Sequence, residues 1–68
     1  MNWILTSNVL PERQTKVFVW VNGSAEIAWV AVWSNGDKEW VFQNEDLENG
    51  VDVVTHWCAI VPPKVNNA

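Results

Sequence analysis

Cysteine and histidine occur once each, as Cys58 and His56, in a chain of 68 residues. A single thiol cannot close a disulfide within the chain, and one Cys with one His cannot supply a four-ligand zinc site. The lone thiol fits a reducing compartment. Basic residues are also scarce: Arg13, Lys16, Lys38 and Lys64 stand against eight acidic side chains, for a formal charge of −4. Nucleic-acid binders neutralise phosphates with clustered Lys and Arg, so the composition argues against direct nucleic-acid binding. The longest uninterrupted apolar run, Ile27 to Trp33, falls far short of the roughly 20 residues a membrane-spanning helix needs. The first residues, Met1-Asn2-Trp3-Ile4-Leu5, carry neither the basic stretch nor the cleavage site of a signal peptide. Asn22-Gly23-Ser24 matches a glycosylation sequon, which without a secretion signal is read as chance. The expected location is the cytoplasm.

Apolar character is plentiful by contrast. Hydrophobic residues make up 49% of the chain, and six of its eight aromatics are Trp, with no Tyr. Only 18% is charged, too little for a disordered chain. A domain of this size buries only about 60% of the surface of its unfolded chain, so a thin core must rest on a few anchors.

The punctuation points to β structure. Asn22-Gly23, Asn35-Gly36 and Asn49-Gly50 lie between short runs rich in Val, Trp, Ile and Phe, and Asn-Gly tolerates the positive φ of tight hairpin turns. Strands are predicted over residues 2–5, 16–22, 25–33, 38–43 and 53–60. Short connections join the middle three, which makes an antiparallel meander. Leu10-Pro11 breaks the chain before the second strand and Pro62-Pro63 ends the last one. The polar stretch Asn44 to Asn49 is expected to be an open loop or one helical turn, and no segment has the apolar stripe of a long helix. The fold class is therefore mainly β: a single small antiparallel meander sheet of four to five strands, able to curl, with at most one short helical turn. Residues 1–63 form the one domain and 64–68 a flexible tail.

Side chains alternate across a strand, so each strand carries two lists. Val17, Val19 and Val21 oppose Phe18 and Trp20. Ile27, Trp29, Ala31 and Trp33 oppose Ala28, Val30 and Val32. Trp40 and Phe42 oppose Val41, while Val53, Trp57 and Ala59 oppose Val54, Cys58 and Ile60. Neither side is polar, although an antiparallel sheet with one solvated side should alternate apolar and polar. Trp3-Ile4-Leu5 and Leu47 are too little chain to cover the second side, which is expected to meet another protein. Trp3, Trp40 and Trp57 read as anchors of the fold, and Trp20, Trp29 and Trp33 as interface residues. Glu45, Asp46, Glu48 and Asp52, half of all the acidic residues, read as an acidic patch that speeds and orients docking on a basic surface.

No catalytic constellation accompanies these features. His56 and Cys58 would share one face of one strand with no oxyanion site, so His56 is expected to bond a neighbouring polar group and Cys58 to pack as a small hydrophobe. Leu47 and Gly50 interrupt the carboxylate series that a calcium loop would need. No cofactor, metal site or enzymatic activity is expected.

Trp3, Leu10-Pro11, the strand Val17-Phe18-Val19-Trp20-Val21 and the late Thr55-His56-Trp57 before a proline-containing end together resemble a phage and prophage family known as domain of unknown function 551. The resemblance covers almost the whole chain. It departs after Trp57, where the family has Met-Pro-Leu-Pro and this chain has Cys58-Ala59-Ile60-Val61 before Pro62-Pro63. The resemblance implies a small accessory protein of a bacteriophage, working in the host cytoplasm. The expected function is non-enzymatic: binding and inhibiting or redirecting a bacterial host protein, such as an antiviral-defence complex of the CRISPR-Cas or restriction type. The alternative is a homodimeric structural or accessory protein whose second apolar side is the dimer seam.

Overall fold

The computed structural model describes residues 2–61; the predicted tail at 64–68 and the Pro62-Pro63 stop lie outside them. The chain forms one open antiparallel sheet of five strands, β1 (Ile4–Leu5), β2 (Val17–Val21), β3 (Ser24–Val32), β4 (Lys38–Phe42) and β5 (Val54–Ala59). The order across the sheet is β1-β5-β2-β3-β4. No helix occurs among the described residues, and Asn44 to Asn49 forms turns and bends. The mainly β class and single sheet expected from the sequence are therefore observed.

Each Asn-Gly pair has a different role. At Asn22-Gly23 both residues have positive φ (51° and 77°), the geometry of a two-residue turn whose twist matches its strands. Asn35-Gly36 closes a wider turn, in which Gly36 N donates to Trp33 O at 2.9 Å and Trp33 N to Asp37 O at 2.8 Å. Asn49-Gly50 joins no neighbouring strands. Gly50 N donates to Trp40 O at 3.1 Å and Asn49 Oδ1 accepts from Phe42 N at 2.9 Å. Together they satisfy part of the outer edge of β4, which would otherwise offer unpaired backbone groups to another chain.

The meander holds for β2, β3 and β4 and then stops. Residues 43–53 cross the sheet, so that β5 lies beside β2 rather than on the free edge of β4. Three hairpin-linked strands with a fourth returning beside the first form a Greek key. The crossing brings Leu47 onto a cluster of buried Val17, Val19, Val21, Ala28, Phe42 and Val54, where Trp40 and Trp57 also pack. A hairpin onto β4 would have left that cluster open. Each valine so covered contributes about 1.5–3 kcal/mol.

A second segment, residues 6–16, seals the same side. Trp57 Nε1 donates to Val9 O at 2.8 Å, Gln14 N donates to Val30 O at 2.9 Å, and Pro11 is buried. The strand predicted over residues 2–5 is present as Ile4–Leu5 and forms an edge of the sheet: Ile4 pairs with Trp57 and Leu5 with His56.

One irregularity changes which residues share a side. Trp20 pairs with His56 and Val21 with Val54, so Thr55 has no partner in β2 and forms a bulge. Strict alternation predicts Val54 beside Cys58. The extra residue instead turns Val54 into the core with Trp57, and His56 and Cys58 stay on the opposite side, across from Trp20 and Phe18.

Candidate functional site

The register places Trp20 across from Ala25 and His56, Phe18 across from Ile27 and Cys58, and Trp29 across from Val41. Cross-strand partners share a side, so these residues line the face away from the valine cluster. Trp20 is 41% exposed and Trp33 57%, while Trp29 is half-buried. All three tryptophans read from the sequence as interface residues thus lie on one face.

Three local contacts shape that face. Trp33 Nε1 donates to Glu39 Oε2 at 3.0 Å, fixing an indole that is more than half exposed. The other oxygen of the same carboxylate lies over Gly50, where an added Cβ would strike it. Gly50, at φ +75°, therefore leaves room for the acid that holds Trp33. Nearer the sheet centre, Lys16 Nζ lies 5.8 Å from the Trp29 ring centroid, a cation–π distance. Its ammonium also donates to Gln43 Oε1 at 3.4 Å.

At the other end, Trp3 packs edge-on against Trp20 with centroids 6.0 Å apart and planes at 69°. The two rings and His56 line a cleft of about 240 Å³. Trp3 is thus not the core anchor expected from the sequence. It reaches this face because β1 pairs with β5, with Ile4 opposite Trp57, a long-range pairing that alternation along the N-terminal segment cannot reveal. Glu39, Lys16 and His56 were likewise not read as belonging with this face, since nothing local marks them.

The acidic residues lie elsewhere. Glu45, Asp46, Glu48 and Asp52 belong to the crossing loop, which packs Leu47 against the valine side, so they do not form one surface with the tryptophans. Asp52 is a brace. Its carboxylate accepts from Glu48 N at 2.6 Å and from Asn22 Nδ2 at 3.1 Å, tying the loop to the β2–β3 turn. These two donors, the backbone N–H first, hold its pKa below the ordinary aspartate value.

His56 and Cys58 are occupied separately. His56 Nδ1 lies 2.9 Å from Thr55 Oγ1. Strict alternation would have placed that hydroxyl on the opposite side, and the bulge makes the bond accessible. Buried Cys58 donates to Ala59 O at 3.5 Å. Among the described residues no three of His, Cys, Asp or Glu gather as a metal site requires.

The protein is thus a small antiparallel sheet with one sealed side and one tryptophan-lined side. The chain belongs to the family described as "Protein of unknown function (DUF551)", whose model matches residues 2–63. No curated protein and no solved structure was found to match it.

Proposed function

We propose that this is a non-enzymatic protein that works by association, docking its tryptophan face onto a protein of a bacterial host and so blocking or redirecting it. The supporting observation is the one-sided closure of the sheet: both long loops pack on the valine side, while Trp20 and Trp33 stay exposed opposite it, beside half-buried Trp29. Trp is enriched among residues that dominate binding energy, especially where it is held in place before contact. Trp33 is so held by Glu39. Glu45, Asp46 and Glu48 add to the negative field that speeds encounter with a basic target, while the aromatic face supplies the lasting contact. An antiviral-defence complex is a fitting target class for a phage accessory protein.

A second reading, a homodimer seam through the same face, draws support from the low charge of that face, since homodimer interfaces are the more apolar ones. Light scattering separates the two. A molar mass near 7.8 kDa at micromolar concentration favours a foreign partner, and a doubled mass favours the seam. Capture from host lysate then tests the leading reading. Wild-type protein should retain a specific host protein that Trp33→Ala loses and Glu45→Ala keeps. Equal capture by all three would remove the tryptophan face as the docking surface.

A further inference from the structure

The cleft at the β1–β5–β2 end has a more specific chemistry than the face around it. Among the described residues its lining consists of two indoles set at 69° and one imidazole, with no ammonium, guanidinium or carboxylate. An indole face carries negative quadrupole density and attracts cations, and a Trp face is the strongest of the aromatic ones for this contact. The same side of the sheet already holds one such contact, with Lys16 Nζ 5.8 Å from the Trp29 centroid. His56 adds an acceptor: when Nδ1 donates to Thr55 Oγ1, Nε2 keeps a lone pair for an N–H donor. The chain as a whole carries a charge of −4, so a positively charged group is drawn toward it rather than repelled.

We propose that the Trp3–Trp20–His56 cleft receives a cationic side chain, arginine foremost, presented by the partner protein. This rests on the docking reading and names the chemistry of the partner at one point of the interface. An apolar side chain would gain only burial in the cleft. A guanidinium gains stacking on an indole face and an N–H donation to His56. An anionic group would be repelled by the same face.

N-acetyl-arginine amide and its neutral isostere N-acetyl-citrulline amide test the proposal on the isolated protein, by following the indole N–H resonances of all six tryptophans. Arginine should shift Trp3 and Trp20 and bind roughly three- to thirty-fold more tightly than citrulline, the range of a cation–π contact. Trp20→Leu, which keeps apolar volume but removes the ring, should abolish the preference. Trp3→Leu, at the edge strand, makes the same test if Trp20→Leu unfolds. Trp33→Ala should leave it intact, which separates this proposal from the docking reading. Equal binding of the two amides, or no shift at Trp3 and Trp20, overturns the cationic assignment, even where Trp33→Ala still abolishes capture of a host protein.

Discussion

The valine side and the tryptophan side of the sheet are made from the same strands, in alternate residues, and both are apolar. On one side Val17, Val19, Val21, Ala28 and Val54 are small and mostly β-branched. They form a low floor that loops of about ten residues can seal, with Leu47, Trp57 and Pro11 closing over it. On the other side Trp3, Phe18, Trp20, Trp29 and Trp33 stand taller, and no segment among the described residues crosses them. Coverage by the loops, more than side-chain size, thus separates the face that becomes a core from the face that stays open, since Phe42, Trp40 and Trp57 also lie on the sealed side. A loop that seals a side must also satisfy its own backbone. The crossing loop does so through Gly50, Asn49 and Asp52 along the β4 edge and the β2–β3 turn.

If the two sides differ in this way, equivalent truncations should give opposite results. Phe42 is 5% exposed, on the sealed side, and Phe42→Ala should cost about 3–5 kcal/mol. A domain this small has only about 3–10 kcal/mol in total, by the usual per-residue scale. Urea denaturation should therefore find the variant partly or wholly unfolded in buffer. A variant with wild-type stability would show that the valine side is not the core.

Trp33→Ala is the counterpart on the open side. Unfolding stability should stay within about 0.5 kcal/mol of wild type, as for exposed positions generally. Affinity for the captured partner should fall at least tenfold, the loss expected of a hot-spot residue. Glu39→Gln keeps the shape and weakens the bond to the Trp33 indole, and should give a smaller loss in the same direction. A Trp33→Ala protein that unfolds readily would erase the contrast, because the indole would then be part of the fold.

Gly50 couples the two sides, since its loop seals one and its close approach to Glu39 orients a residue of the other. Gly50→Ala places a side chain at φ +75° and displaces the Glu39 carboxylate. We expect a stability loss of about 1 kcal/mol from the backbone alone. Greater mobility of the Trp33 indole, read as a lower anisotropy of its fluorescence in a background where Trp33 is the only Trp altered between samples, should accompany it. Loss of stability with an unmoved Trp33 would confine Gly50 to the turn.

Much of this was legible in the sequence, and the missing parts share a cause. Asn22-Gly23 and Asn35-Gly36 mark hairpins because local φ preferences act over a few residues, and β2, β3 and β4 follow from them. The shared side of Trp20, Trp29 and Trp33 was readable because they lie within the meander, where alternation and short turns fix the side. Trp3 was misread as a core anchor because its side depends on pairing with β5, far away in the chain. Val54 was misplaced because one bulged residue, Thr55, reverses the alternation and no local signal marks it. Asn49-Gly50 resembles the other two pairs in sequence, but it answers the outer edge of β4 and the need to cover the valines. Pairings that close long loops are decided by burial across the whole sheet, which a single strand does not reveal.

The smallest expected effect concerns the brace that holds the sealing loop in place. Asp52 accepts from Glu48 N and Asn22 Nδ2, and its carboxylate has a lowered pKa in the folded protein. A carboxylate whose folded pKa lies below its unfolded value stabilises the fold fully above the unfolded value. That stabilisation is lost as pH falls through the folded one. Wild-type protein should accordingly lose stability on the acid side of the ordinary aspartate range, and Asp52→Asn should lack that part of the loss while being slightly less stable at neutral pH. The group lies at the surface, where solvent screens it, so the difference should be a modest change in slope. It should also respond to the turn: replacing Asn22 with Gly, which keeps the positive φ but removes the amide donor, should shrink the acid limb without altering the hairpin. If Asp52→Asn and wild type titrate in parallel, the loop is held by Leu47 and the β4 edge alone. The tie to the β2–β3 turn would then contribute nothing to keeping the valine side closed.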